Sequence, residues 1–154
     1  MSITKNWITN ICVSAILFVA LFAYGKSNAT VLDIMHISIN STAIAVEVAN
    51  TPKTIQQGLS GRSSLKPGTG MWFVFHKPDQ YGFWMADMRF PIDIIWVGSD
   101  LHIVDITKSA APESYPNIFK PREPARYVLE VPAGFALHNA IKIGDRVIIR
   151  KHDQ

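Results

Sequence analysis

Cysteine is almost missing from this chain. Cys12 stands alone among 154 residues, and it lies too deep in an apolar N-terminal run to serve as a lipid-attachment cysteine. One cysteine gives no disulfide framework and no thiolate metal site. Runs of basic residues are missing too. Lys5 and Lys26 precede Thr30; from Thr30 onward thirteen Lys and Arg face twelve Asp and Glu, a net charge near +1. Nucleic-acid affinity rests on many phosphate contacts, so that class is excluded. There is no G-x-S-x-G elbow, no H-E-x-x-H or H-x-x-x-H spacing and no phosphate-cradling glycine loop. His36, His76, His102 and His138 are scattered. Internal repeats and low-complexity tracts are absent. A regular strand–helix alternation is absent as well, which disfavours a doubly wound parallel sheet.

What is present begins with an export-like leader. Lys5 supplies a short positive start, Ile11 to Tyr24 carries no charge, and Ser27-Asn28-Ala29 matches the small-residue pattern of a signal-peptidase site. Fourteen apolar residues suit a signal-peptide core better than a membrane span of about 20. Residues 1–29 are therefore expected to be a signal peptide or, if uncleaved, an N-terminal membrane anchor. Residues 30–154 are expected to form one domain in the periplasm or another extracytoplasmic space. Its 125 residues suffice for a real core.

That domain reads as short strands between turn signals. Ile34 to Ile39 and Ala43 to Ala49 flank the pair Asn40-Ser41, a hairpin. In the second strand Ile44, Val46 and Val48 alternate with Ala45, Glu47 and Ala49. Thr51-Pro52 opens a short helix, with threonine as cap and proline at the first helical position. Trp72 to Phe75 forms a strand with bulky residues on both faces, so one face must be covered by a helix or open as a pocket. His76 to Gln80 reads as a loop and Phe83 to Met85 as a short strand. Ile92 to Val97 and Leu101 to Ile106 flank the turn Gly98-Ser99-Asp100. Four prolines mark Ala110 to Pro124 as a long irregular loop. Tyr127 to Val131 and Arg146 to Arg150 are further strands, with a short helix within 132–140. The expected fold class is mainly β: a compact antiparallel barrel or closed sandwich with one or two short helices.

Gly70 to Val97 holds eight of the sixteen aromatic residues and three of the five methionines. Its FWMADMRFPIDIIWV segment (Phe83 to Val97), with GLSGR (Gly58 to Arg62), GMWFVF (Gly70 to Phe75), YVLEVPAG (Tyr127 to Gly134) and GDRV (Gly144 to Val147), resembles the DUF192 family, also called UPF0127, over nearly the whole of residues 30–154. The resemblance implies a compact, β-rich, barrel-like domain, often behind an export signal. No activity is assigned to that family, so the resemblance transfers no catalytic residue.

The candidate chemistry is read from the residues. Asp93 stands between two isoleucines on a strand. Alternation places it with Ile95 and Val97, opposite Ile92, Ile94 and Trp96. A buried carboxylate needs a partner or a raised pKa, and Arg62 and Arg89 are the expected partners. Arg62 complements a helix C-terminus or offers its donor fork to a carboxylate or sugar. Met85 and Met88, with Trp84 and His76, make a thioether- and ring-rich set suited to Cu(I), although methionine is also an ordinary core filler. Glu130 and Asp93 form a conceivable glycosidase pair, a weak signal in a small domain.

The expected function is therefore an exported, non-enzymatic domain of the cell envelope that binds a small molecule. Arg62, Trp84, Met85, Met88 and Asp93 are its expected pocket residues. No cofactor and no nucleic-acid partner are expected, and the membrane is involved only through a retained leader. A periplasmic copper protein using Met85, Met88, His76 and Trp84 is the alternative, and a small hydrolase or carbohydrate-active enzyme using Asp93 is the weaker one.

Overall fold

The computed structural model describes residues 33–150; the expected leader at residues 1–29 lies outside them. Seven strands and two short α-helices follow the order β1 (Ile34–Ile39), β2 (Thr42–Ala49), α1 (Pro52–Gln57), β3 (Thr69–Asp79), β4 (Ile92–Val97), β5 (Ile103–Ala110), β6 (Ala125–Pro132), α2 (Phe135–His138) and β7 (Val147–Arg150). A single 3-10 turn, Pro112–Ser114, interrupts the loop between β5 and β6. No helix among the described residues is long and apolar enough to cross a membrane.

All seven strands belong to one curled sheet in the order β5-β4-β6-β3-β2-β1-β7. The mainly-β expectation holds, with two corrections. The sheet is a half-barrel rather than a closed barrel or sandwich. Its edge strands meet only at one end, where Ile103 N–H donates to the Asp145 carbonyl (2.9 Å) and Val147 N–H to that of Leu101 (2.8 Å). Nor is the sheet wholly antiparallel, because β2 and β3 run parallel. A parallel neighbour needs a crossover, and residues 50–68 with α1 supply it.

Local chemistry explains these elements. Asn40 and Ser41 both take positive φ (46° and 71°), the conformation of a two-residue hairpin turn that matches strand twist. Thr51 and Thr54 cap α1 reciprocally: Thr54 N–H donates to Thr51 Oγ1 (3.2 Å) and Thr51 N–H to Thr54 Oγ1 (3.0 Å). Strand β3 runs on through His76 to Asp79, residues expected to be loop. The register slips between Val74 and Asp79, and this irregularity lets the strand carry Pro78 past the ordered ladder. Phe83 forms only an isolated bridge with Phe119, not a strand.

The pleat sorts the core into two layers. The inner layer gathers Ile37, Ile39, Ile44, Val46, Trp72, Ile95, Val97, Leu129 and Val131 around Ala136 of α2. The outer layer holds Met71, Phe73, Phe75, Met85, Ile92, Ile94, Trp96 and Val128, covered by Ile55, Phe83, Met88 and Phe119. Bulky residues on both faces of β3 thus have a simple cause: the second face is roofed by α1 and by the two long loops.

Candidate functional site

The roof over the outer layer does not close completely. Between α1 with its following turn and the loop after β3 lies a groove of about 410 Å³. Ile55, Gly58, Leu59 and Ser60 form one wall. Phe73 and Phe75 of β3 form the back, and Tyr81, Phe83, Trp84 and Met88 form the other wall. Glu130 of β6 also lines the groove. The two walls are tied together: Ser60 Oγ donates to the Ala86 carbonyl (2.8 Å) and Gly61 N–H to that of Asp87 (2.9 Å).

The rings brace one another. Phe75 and Tyr81 stack with centroids 3.6 Å apart, and Phe83 meets Phe73 edge-on at 5.0 Å and Trp96 at 6.3 Å. Edge-to-face and stacked pairs are the favoured aromatic geometries, so these rings support one another. Trp84 is the exception: it is 51% exposed at the groove.

Glu130 is the unusual group. Its neighbours across the sheet are Met71 on β3 and Ile94 on β4. It is 6% exposed, and its Oε2 has no hydrogen-bond partner among the described residues. Desolvation pushes its carboxyl up to about 8, with the positive charge of Arg62 pulling weakly the other way. A carboxyl in that state is largely protonated at neutral pH, and so both donates and accepts a hydrogen bond. Trp96, in the same layer, also keeps a buried indole Nε1 without a partner among the described residues.

Arg62 is spoken for. Its two terminal nitrogens grip both oxygens of Glu47 at 2.5 and 2.7 Å, a bidentate charge-assisted pair. That bond, more than the electrostatic attraction, holds the Glu47 carboxyl below the ordinary carboxylate range.

Asp93 lies elsewhere. It falls on the inner face, as alternation requires, but neither Arg62 nor Arg89 reaches it. Its oxygens accept from three backbone N–H groups: Ser109 (2.8 Å), Gly134 (3.2 Å) and Ala136 (2.9 Å). Ser109 lies in the β4–β5 register shift between Ile92↔Ala110 and Ile94↔Thr107, and Gly134 and Ala136 open α2, so these N–H groups fall outside the regular ladder and the carboxylate satisfies them. Asp93 is wholly buried and absent from the groove lining. Glu130 and Asp93 face opposite layers of the sheet and do not form a carboxylate pair.

Of the other expected pocket residues, Trp84 and Met88 line the groove. Met85 is 2% exposed beneath it, in one turn with Met88 (Met88 N–H to Met85 carbonyl, 3.3 Å). His76 is exposed near the end of β3, outside both core layers. No group of three His, Cys, Asp or Glu suited to a metal occurs among the described residues. Glu130 was the residue that sequence reading underweighted. Its signal was available: a single acid inside the apolar strand VLEV, on the same face as Val128.

Two solved structures are similar over this fold. A candidate transcription regulator from Sinorhizobium meliloti is 30% identical, with a TM-score of 0.73 over 77% of this chain and 95% of its own. A protein of unknown function from Novosphingobium aromaticivorans is 32% identical, with a TM-score of 0.73 over 77% of this chain and 87% of its own. No curated protein matches the chain. The model of DUF192, described as an uncharacterised ACR, matches residues 35–149, and the chain belongs to that family.

Proposed function

We propose that the protein is an exported, non-enzymatic domain of the cell envelope that binds a small, largely apolar molecule in the groove beside α1. One observation carries the reading: a buried carboxyl with an oxygen that has no hydrogen-bond partner among the described residues lines a ring-walled groove of about 410 Å³. Ligand sites are typically apolar concavities with a few convergent polar groups and a perturbed pKa. The export element of the proposal is supported by the charge-free run Ile11 to Tyr24 and the Ser27-Asn28-Ala29 triplet.

The test uses a neutral fluorescent probe, N-phenyl-1-naphthylamine, titrated into the mature protein. Saturable binding that a bulky Ile55→Trp substitution in the wall weakens is the expected result; its absence removes the reading. Mass analysis of the secreted or periplasmic product, looking for an N-terminus at Thr30, tests export separately. Copper remains the second reading because Met88 and Trp84 do border one groove, although Met85 is enclosed and His76 lies apart.

A further inference from the structure

We infer that the groove takes a protonated primary amine on an apolar body, its ammonium meeting the Glu130 carboxyl and its hydrocarbon lying along Phe73, Phe75, Phe83 and Trp84. This rests on the small-ligand reading above and names the chemistry such a site selects. The lining contains one acid and no lysine, arginine or histidine. Glu130 lines the groove with an Oε2 that has no hydrogen-bond partner among the described residues, and an ammonium brings three donors with a full positive charge. Aromatic faces attract cations as well as hydrocarbon. A carboxylate ligand would instead set a second acceptor beside Glu130, with no free cation in the lining to receive it. Arg62, whose positive charge pulls the Glu130 carboxyl down, is already committed to both oxygens of Glu47.

The groups facing Glu130 define how binding responds to pH. Met71 on β3 and Ile94 on β4 do not titrate. Arg62 stays charged, and Tyr81 is held above its ordinary value by desolvation and so stays neutral. Glu130 is therefore the lining group that changes state near neutrality, its carboxyl held up to about 8 in the empty groove. The ammonium favours the ionised carboxyl, so a neutral carboxylic acid and a cation become an ion pair and one proton leaves to buffer. Affinity for the amine should rise roughly tenfold per pH unit below about 8 and level off above it.

Isothermal titration calorimetry of the mature protein with hexylamine, 1-hexanol and hexanoate tests this, between about pH 6 and 9 and in two buffers of different ionisation enthalpy. The expected result is that hexylamine binds tightest, gains affinity with pH as stated and releases close to one proton near neutrality. Glu130→Gln should keep hexanol binding while losing the pH dependence and the proton release. Tighter binding of hexanol or hexanoate, or amine binding indifferent to pH, overturns the amine proposal and leaves the groove reading standing. Failure of all three probes to bind overturns both.

Discussion

Glu47 and Glu130 stand in one row across the sheet, each directly beside Met71, and the fold drives their carboxyls in opposite directions. Glu47 keeps its charge because Arg62 clasps both oxygens. Glu130, two strands further in, lies under the roof of the outer layer and meets that cation only at a distance. Two chemically identical side chains two strands apart thus present one anion and one largely neutral acid at pH 7.

This difference has a consequence for stability. The Glu130 carboxyl is raised in the folded chain, so above its unfolded pKa the native state holds a proton that the unfolded state gives up. Its contribution is full below about pH 4.5 and falls as pH rises to about 8, on the order of 1 kcal/mol per unit. Urea unfolding across that window should show a wild-type decline that Glu130→Gln flattens. Parallel profiles for the two proteins would contradict the burial argument.

Arg62→Met removes a half-exposed bidentate pair, and about 1 kcal/mol of stability should go with it. It also removes the charge that lowers the Glu130 carboxyl. The alkaline decline in stability should therefore extend to higher pH, and carboxyl titration followed by NMR should show Glu130 moving up. A downward move would mean that Arg62 acts on Glu130 by some route other than its charge.

Asp93→Asn turns one of two acceptor oxygens into a donor facing backbone N–H groups. A loss of about 2–4 kcal/mol is expected, read as a lower thermal midpoint. Affinity for a groove probe should not change in the fraction that remains folded, because Asp93 lies in the other layer. Weakened probe binding with unchanged stability would place Asp93 in the site after all.

Gly70 and Gly82 offer a matched contrast. A Cβ on Gly70 would come within 2.6 Å of the Glu130 carbonyl oxygen, at the start of the β3–β6 ladder and within the β2–β3 ladder, where backbone cannot yield. A Cβ on Gly82 would come equally close to Ile118 Cγ2, but that side chain is 59% exposed and free to swing away. Gly70→Ala should cost about 2 kcal/mol and Gly82→Ala well under 1 kcal/mol in chemical denaturation. Equal costs would contradict this.

Copper makes a separate prediction. Because Met85 is enclosed and His76 lies outside both core layers, Cu(I) added anaerobically should leave tryptophan emission unchanged. Quenching that the Met85→Ala, Met88→Ala double variant abolishes would establish the thioether site instead.

Much of the architecture was legible along the chain. Alternation in β2, β3 and β4 assigned Val46, Trp72, Phe73 and Asp93 to their faces, because a strand's period of two is a property of local backbone geometry. The cap at Thr51 and the turn at Asn40-Ser41 were readable for the same reason. The parallel β2–β3 pair was not: strand pairing is chosen by how a whole sheet shares its hydrophobic faces, which no short window contains. Asp93 was recognised as a buried acid, yet its partners are backbone N–H groups of Ser109, Gly134 and Ala136, and backbone donors leave no trace in residue identity.

The contrast between Asp93 and Glu130 marks the boundary most sharply. Residue type and periodicity alone determined that each is an acid set in an apolar strand and which neighbours share its face. Only the tertiary structure decided that one would be saturated by backbone donors in the inner layer while the other would line a groove unpartnered. Burial and hydrogen bonding at a point depend on segments distant in the chain, here α1, the loop from Tyr81 to Met88 and the start of α2, and their convergence is a property of the folded molecule.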